Sequence, residues 1–258
     1  MKKVLCVVAC LFPALMFAQS PFDGTWKTNM SASKLSQKPY MFSVNNGMYD
    51  CESCAPKIMN LKADGMDQAV TGQTYDTLAV KVVKPDEIQV TTKKDGKTTG
   101  DSTRTASDDG KTLTIMGTTY PRDGSPYKYT VKFMRVANGP AGSNKTSGSW
   151  RIQSIDEENP GVTMTFKVTG DEVGYSTGAG ENWTAKFGGA EVPVKGIYAN
   201  ETVSVKKLSD RSIELTRKRD GKVIAVNKIT VSPDGKTMTE VYDSKLTGRV
   251  STYVDEKQ

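Results

Sequence analysis

Forty residues of the chain recur, without a gap, 125 positions further on. Asp76–Ile115 lies over Glu201–Glu240, and sixteen of the forty positions are identical, among them Asp95-Gly96-Lys97 over Asp220-Gly221-Lys222 and Asp109-Gly110-Lys111-Thr112 over Asp234-Gly235-Lys236-Thr237. A repeat of this length constrains the fold strongly, because whatever one copy builds the other must build as well. Outside it, Gly24-Thr25-Trp26 and Gly148-Ser149-Trp150 open the two halves alike, and Tyr129–Phe133 matches Arg249–Tyr253 near their ends.

The hydrophobic period within each copy is two. Ile88 and Val90 alternate with Gln89 and Thr91, Ile213 and Leu215 with Glu214 and Thr216, and Tyr129, Val131 and Phe133 with Lys128, Thr130 and Lys132. Alternation of this kind makes one face apolar and the other solvated, as in an antiparallel sheet. Asp95-Gly96 and Asp220-Gly221 suit two-residue type I′ hairpins, and Asp109-Gly110 and Asp234-Gly235 repeat the signal one hairpin later. Asn29–Leu35 is the one stretch that suits a short helical turn. Eight to ten short strands per copy, each followed by a turn, predict a meander, and a meander is rid of its exposed edges only by closing on itself. The expected fold is all-β: two tandem antiparallel up-and-down barrels of eight to ten strands, with an open sandwich as the alternative.

Residues 1–18 read as a secretory signal: Lys2 and Lys3, an apolar run from Val4 to Phe17 too short to span a bilayer, and a small residue at Ala18. The first barrel is then expected over 19–136 and the second over 149–258. Residues 137–148, which contain no large apolar side chain, read as a Gly/Ser/Pro linker. Localisation is expected to be periplasmic or secreted. Without Lys2 and Lys3 the chain has 33 Lys+Arg against 29 Asp+Glu. This mixed balance gives no nucleic-acid footprint and at most weak contact with anionic surfaces.

There is no histidine anywhere in the sequence. His-based triads, His-ligated zinc and c-type haem are thereby excluded, and the commonest general base is missing. No enzyme activity, catalytic residue, metal or cofactor is expected. Carboxylate chemistry at Asp64, Asp67, Asp76 or Glu87 is the outlying alternative, since no pairing among them can be read from spacing. Cys51 and Cys54 form the one local motif with chemistry. In an exported chain they are expected to form a disulfide that staples a short loop. A redox pair needs a helix N-terminus beside it, and a metal site would have to recruit Asp50 or Glu52. The basic tips Lys93–Lys97 and Arg217–Lys222 suggest either solvated hairpins or anion binding. Tyr40, Phe42, Tyr49, Tyr75, Phe166, Trp183, Phe187 and Tyr198 are the aromatics available to line a cavity or fill a core.

The Gly-x-Trp starts, each ahead of a meander, resemble the lipocalin-like (calycin) barrels. The run Gly24 to Lys34 with a later Ser-x-Asp-Gly-Lys-Thr resembles exported bacterial proteins with such domains. The resemblance implies that each Trp packs across a closed barrel end. It implies Arg135 as the cover for Trp26, and leaves Trp150 covered in some other way because no arginine follows Tyr253. It also implies a binding or interaction barrel. The expected function is retention of a small apolar or amphipathic molecule in a barrel cavity; the alternative is a filled structural or interaction module of the cell envelope.

Overall fold

The structure, a computed structural model, describes residues 19–123, 125–155, 163–197 and 199–258. The expected signal segment and Tyr198 lie outside the described residues. All elements among the described residues are strands, arranged in two antiparallel ten-stranded sheets, each nearly closed into a barrel. The fold class is therefore the one the repeat predicts.

One barrel is a continuous stretch of chain. It takes β2 (Tyr40–Asn45), β3 (Met48–Cys51), β4 (Ile58–Lys62), β5 (Gln68–Ala69), β6 (Thr77–Lys84), β7 (Glu87–Lys94), β8 (Lys97–Ala106), β9 (Thr112–Thr119), β10 (Tyr127–Asn138) and β11 (Gly148–Ile155). Each strand pairs with its neighbour in sequence except β4 and β5, which flank the one gap, and β11 returns to β2 through the pairs Gly148–Phe42 and Trp150–Tyr40. The Asp64–Lys81 bridge draws the remaining gap together. We call this the inserted barrel.

The other barrel is split. β1 (Gly24–Thr28) pairs with β12 (Thr163–Thr169) on one side and β20 (Val250–Lys257) on the other. The ring continues through β13 (Glu172–Thr177), β14 (Asn182–Lys186), β15 (Val192–Pro193), β16 (Glu201–Ser209), β17 (Ser212–Arg219), β18 (Lys222–Val231) and β19 (Thr237–Ser244). Bridges Asn182–Lys195 and Phe187–Val205 close it.

The chain division expected from sequence is therefore revised. The two Gly-x-Trp strands are exchanged: the first sits in the barrel of the second half, and the second in the barrel of the first half. Residues 137–148 are no linker but the loop of the β10–β11 hairpin, which opens at the Asn138–Gly148 pair. The loop is small and polar because it folds down on the barrel end. Thr146 and Ser147 are fully buried there, and Asn144 and Lys145 donate backbone N–H groups to the carbonyls of Val44 and Pro85. The chain passes between the barrels after β1 and again after β11; the first of these connections, residues 29–39, runs along β20, with Lys34 and Thr252 exchanging both backbone hydrogen bonds. Residues 30–32 form a turn rather than a helix, because the Asn29 side chain accepts from Ser31 Oγ and Ala32 N and the chain then extends.

Hairpin chemistry follows expectation at Asp95-Gly96 and Asp220-Gly221, where both residues have positive φ (49° and 75°, 48° and 75°). At the next hairpin only the glycines, Gly110 and Gly235, adopt positive φ. Here Asp109 and Asp234 instead accept from Ser107 and Ser232 Oγ and from the N–H of Lys111 and Lys236. The repeat extends to irregularities, since the register shift at Thr92/Lys93 recurs at Arg217/Lys218.

Each barrel has its own core. Trp26 packs with Met164, Phe166, Val173 and Trp183; Trp150 packs with Phe42, Val80, Ile88, Leu113 and Phe133. The strand exchange thus carries one large aromatic each way, and a buried tryptophan contributes several kcal/mol to the barrel that holds it, on the order of 3–5.

Candidate functional site

The two tryptophans seal equivalent barrel ends. Trp26 Nε1 donates to Phe22 O at 2.8 Å and Trp150 Nε1 to Thr146 O at 2.9 Å, four residues back in both cases. Arg135 does cover a tryptophan, but the exchange makes it Trp150: the guanidinium carbon stands 4.0 Å from that ring. Its nitrogens also donate to the carbonyls of Gly110, Ser147 and Lys145. Trp26 is covered by Lys257, whose Nζ lies 5.2 Å from the ring. The glycine of each Gly-x-Trp has a physical role. Gly148 holds φ at 146°, and a Cβ there would meet Ala137 O at 2.5 Å and Arg135 Nη1 at 2.7 Å. Only glycine lets the cation and the neighbouring backbone come that close. Trp26, Trp150 and Arg135 are thus parts of the barrel ends.

The disulfide Cys51–Cys54 is present, with Cys51 fully buried in the core of the inserted barrel. Asp50 accepts from the N–H of Asn60 and Glu52 pairs with Lys57, so both flanking carboxylates have other partners. The basic tips are largely paired too: Lys93 with Asp67, Lys94 with Asp76 and Lys218 with Glu191. Asp64 accepts from Met66 N and Glu87 pairs with Lys84. The four carboxylates singled out from sequence thus serve separate turns and ion pairs and do not converge.

What the structure does bring together is a chamber inside the inserted barrel, built around a residue without a motif. Arg104 points inward from β8 and is nine-tenths buried. Its Nη1 donates to Tyr49 Oη at 3.3 Å, and its guanidinium carbon lies 5.0 Å from the Phe42 ring and 5.7 Å from the Tyr40 ring. Its Nε has no partner. Beside it opens a cavity of about 380 Å³ lined by Tyr40, Ile115, Tyr129, Phe133, Trp150 and Ile152, among others. Gly117 makes room for the Tyr129 ring, for a Cβ there would lie 2.6 Å from the phenol oxygen. Residues 29–39 roof the cavity with Lys38, and the chain at the start of β20 with Arg249, Ser251 and Tyr253. Burial holds the phenols of Tyr49 and Tyr129 above the usual range and pushes Tyr75 up to about 12, so all three stay protonated near neutrality.

The split barrel answers with opposite chemistry. Arg217 reaches Glu181 and Glu201, each at 2.8 Å, and Arg219 reaches Glu201 at 2.9 Å, forming a lid across its mouth. Within lie Glu240, which accepts from Asn227 Nδ2, and Asp255, which accepts from Thr28 Oγ1 at 2.7 Å. Burial, with Asp255 close by, raises the Glu240 carboxyl to about 7. Burial likewise raises Asp255, whose Oδ2 has no partner. A second space, about 590 Å³, lies between this lid and Tyr75, Tyr120 and Tyr129 of the inserted barrel.

Sequence reasoning missed Arg104 and Glu240, although the repeat held the signal. Their counterparts at the 125-residue offset are Ile229 and Ile115, so an inward apolar position in one copy is charged in the other. Of the aromatics named from sequence, Tyr40, Phe42, Tyr49 and Tyr75 surround or adjoin the Arg104 chamber, while Phe166, Trp183 and Phe187 belong to the split barrel. Comparison with protein-family models, curated proteins and solved structures gave no match.

Proposed function

We propose that the protein is an exported binding protein that holds a small amphipathic molecule inside the inserted barrel. The observation that carries this reading is the chamber itself. About 380 Å³ is within the range of small-molecule sites, and mostly apolar walls with a few convergent polar groups are their usual lining. The Gly-x-Trp starts and the barrel ends they build add support, because they make the chain similar to lipocalin-like barrels. Export is supported by the residue pattern of 1–18 and by the Cys51–Cys54 disulfide, which belongs in an oxidising compartment. In this reading the split barrel, with its stacked Tyr175 and Trp183 and its ion-paired mouth, is the packed partner that roofs the site.

Native mass spectrometry on protein purified from its own host is the test. The expected result is a co-purifying small molecule, released by denaturation, or failing that a stabilising hit in a thermal-shift screen of single-chain amphiphiles. A bare chain that no amphiphile stabilises would leave the filled-module alternative.

A further inference from the structure

The cavity of the inserted barrel is positive, and nothing in it neutralises that charge. Arg104 makes no ion pair among the described residues, and its Nε donates to nothing. The cavity lining contains three cations, Arg104 within and Lys38 and Arg249 at the mouth, and not one carboxylate. A guanidinium stays protonated in proteins, so burying one without an anion carries a large desolvation cost. One neutral phenol and two aromatic faces offset only part of that cost. Nor does the barrel need the charge in order to fold, since the other copy carries Ile229 at this position, fully buried in its core.

We infer that the occupant of this chamber is a single-chain amphipathic monoanion, its carboxylate or equivalent oxyanion head taken by Arg104 and its apolar body lying along Ile115, Phe133 and Trp150. The inference rests on the ligand-binding reading above and adds the head-group chemistry to it. Nε and the adjoining Nη of a guanidinium form a fork that fits two oxygens of one carboxylate. The Nε of that fork is buried and has no partner in the protein, and the tyrosine hydroxyls beside it are additional donors. Size narrows the class further. Taking the roughly 30 Å³ that a water molecule occupies in the liquid as a unit, the cavity has room for about a dozen non-hydrogen atoms. A molecule of eight to ten carbons with an anionic head fits, and a two-chain phospholipid does not.

Decanoate and decanol make the test, since they share a chain and differ in the head. Titrated calorimetrically into the full-length protein at neutral pH, decanoate is expected to bind at least about tenfold more tightly than decanol, the ratio that about 1.4 kcal/mol of charge-assisted hydrogen bonding gives. Arg104→Ile, which installs the residue of the other barrel, is expected to abolish the preference and leave decanol binding within about twofold of wild type. Arg104→Lys keeps the charge without the fork and should fall between, which serves if the isoleucine variant does not fold. If decanol binds and decanoate binds no better, the anion inference fails while the binding reading stands. If neither binds, both fail. If Arg104→Ile retains the full preference, the anion is held elsewhere and the inference is wrong.

Discussion

Two positions separate the barrels more sharply than any difference in their strands. Where the inserted barrel places Arg104 and Ile115, the split barrel places Ile229 and Glu240, on equivalent strands and facing the same way. Hairpin turns, register shifts and the sealed tryptophan end are common to both; the interior charge is reversed. The scaffold is thus one solution to closing a ten-stranded meander, and each interior is free to vary because backbone pairing does not depend on it. The inserted barrel keeps a cation and open volume. The split barrel closes its mouth with Arg217 between two glutamates and holds a half-buried Glu240 and a fully buried Asp255 behind it.

The largest effect should come from the exchanged strands. Trp26→Ala and Trp150→Ala are each expected to cost about 3–5 kcal/mol, the usual range for emptying a buried aromatic site. Hydrogen exchange locates the damage: Trp26→Ala should loosen amides of 163–257 and Trp150→Ala those of 40–138. The reverse pattern would restore the unexchanged domain order.

Next comes pH. The folded Glu240 carboxyl titrates near 7 against an ordinary value of 4.5, so between those values the folded state holds a proton that the unfolded state has lost. Stability from this group is therefore fully present below about pH 4.5, falls as pH rises towards 7, and is lost above it. The difference is roughly 3 kcal/mol. Exchange protection of the split barrel should increase between pH 8 and 5, and Glu240→Gln should flatten that slope while leaving the inserted barrel unchanged. A wild-type slope untouched by the substitution would mean that the carboxyl is not the source.

Substitution of the Gly-x-Trp glycines should show a smaller asymmetry. Gly148→Ala drives a Cβ into the backbone carbonyl of Ala137, whereas at Gly24 the nearest atom is the flexible end of Lys257, at 2.8 Å. Both force an alanine into a conformation disfavoured by about 1–3 kcal/mol, and Gly148→Ala adds the backbone clash. Melting temperatures should fall in that order. Smallest is reduction of Cys51–Cys54, which closes so short a loop that its loss should cost at most about 2 kcal/mol, confined to the inserted barrel.

Much of the scaffold could be read from residues. Period-two strands and Asp-Gly hairpins led directly to closed meanders, because turn type and pleat are local properties. Strand exchange could not be read, because both heads carry the same Gly-x-Trp and either would fit either barrel. The connections decide it: β10 turns straight into β11, while the segment after β1 pairs along β20. Residues 137–148 looked like a linker because small polar residues serve equally well in a flexible tether and in a loop packed on a barrel end. Arg104 was hidden for a different reason. It stands among threonines in a polar-looking strand, and only the mismatch with Ile229 marks it as facing inward.

Proton–nitrogen NMR spectra recorded during a decanoate titration test the central claim most directly, because they report both barrels and the Arg104 side chain together. The expected result is a shifted Arg104 Nε–Hε resonance with backbone changes in residues 40–155 and along the β20 roof, the rest of the split barrel being still. Shifts centred on the split-barrel interior, or an Arg104 signal that never moves while decanoate binds, would contradict the account.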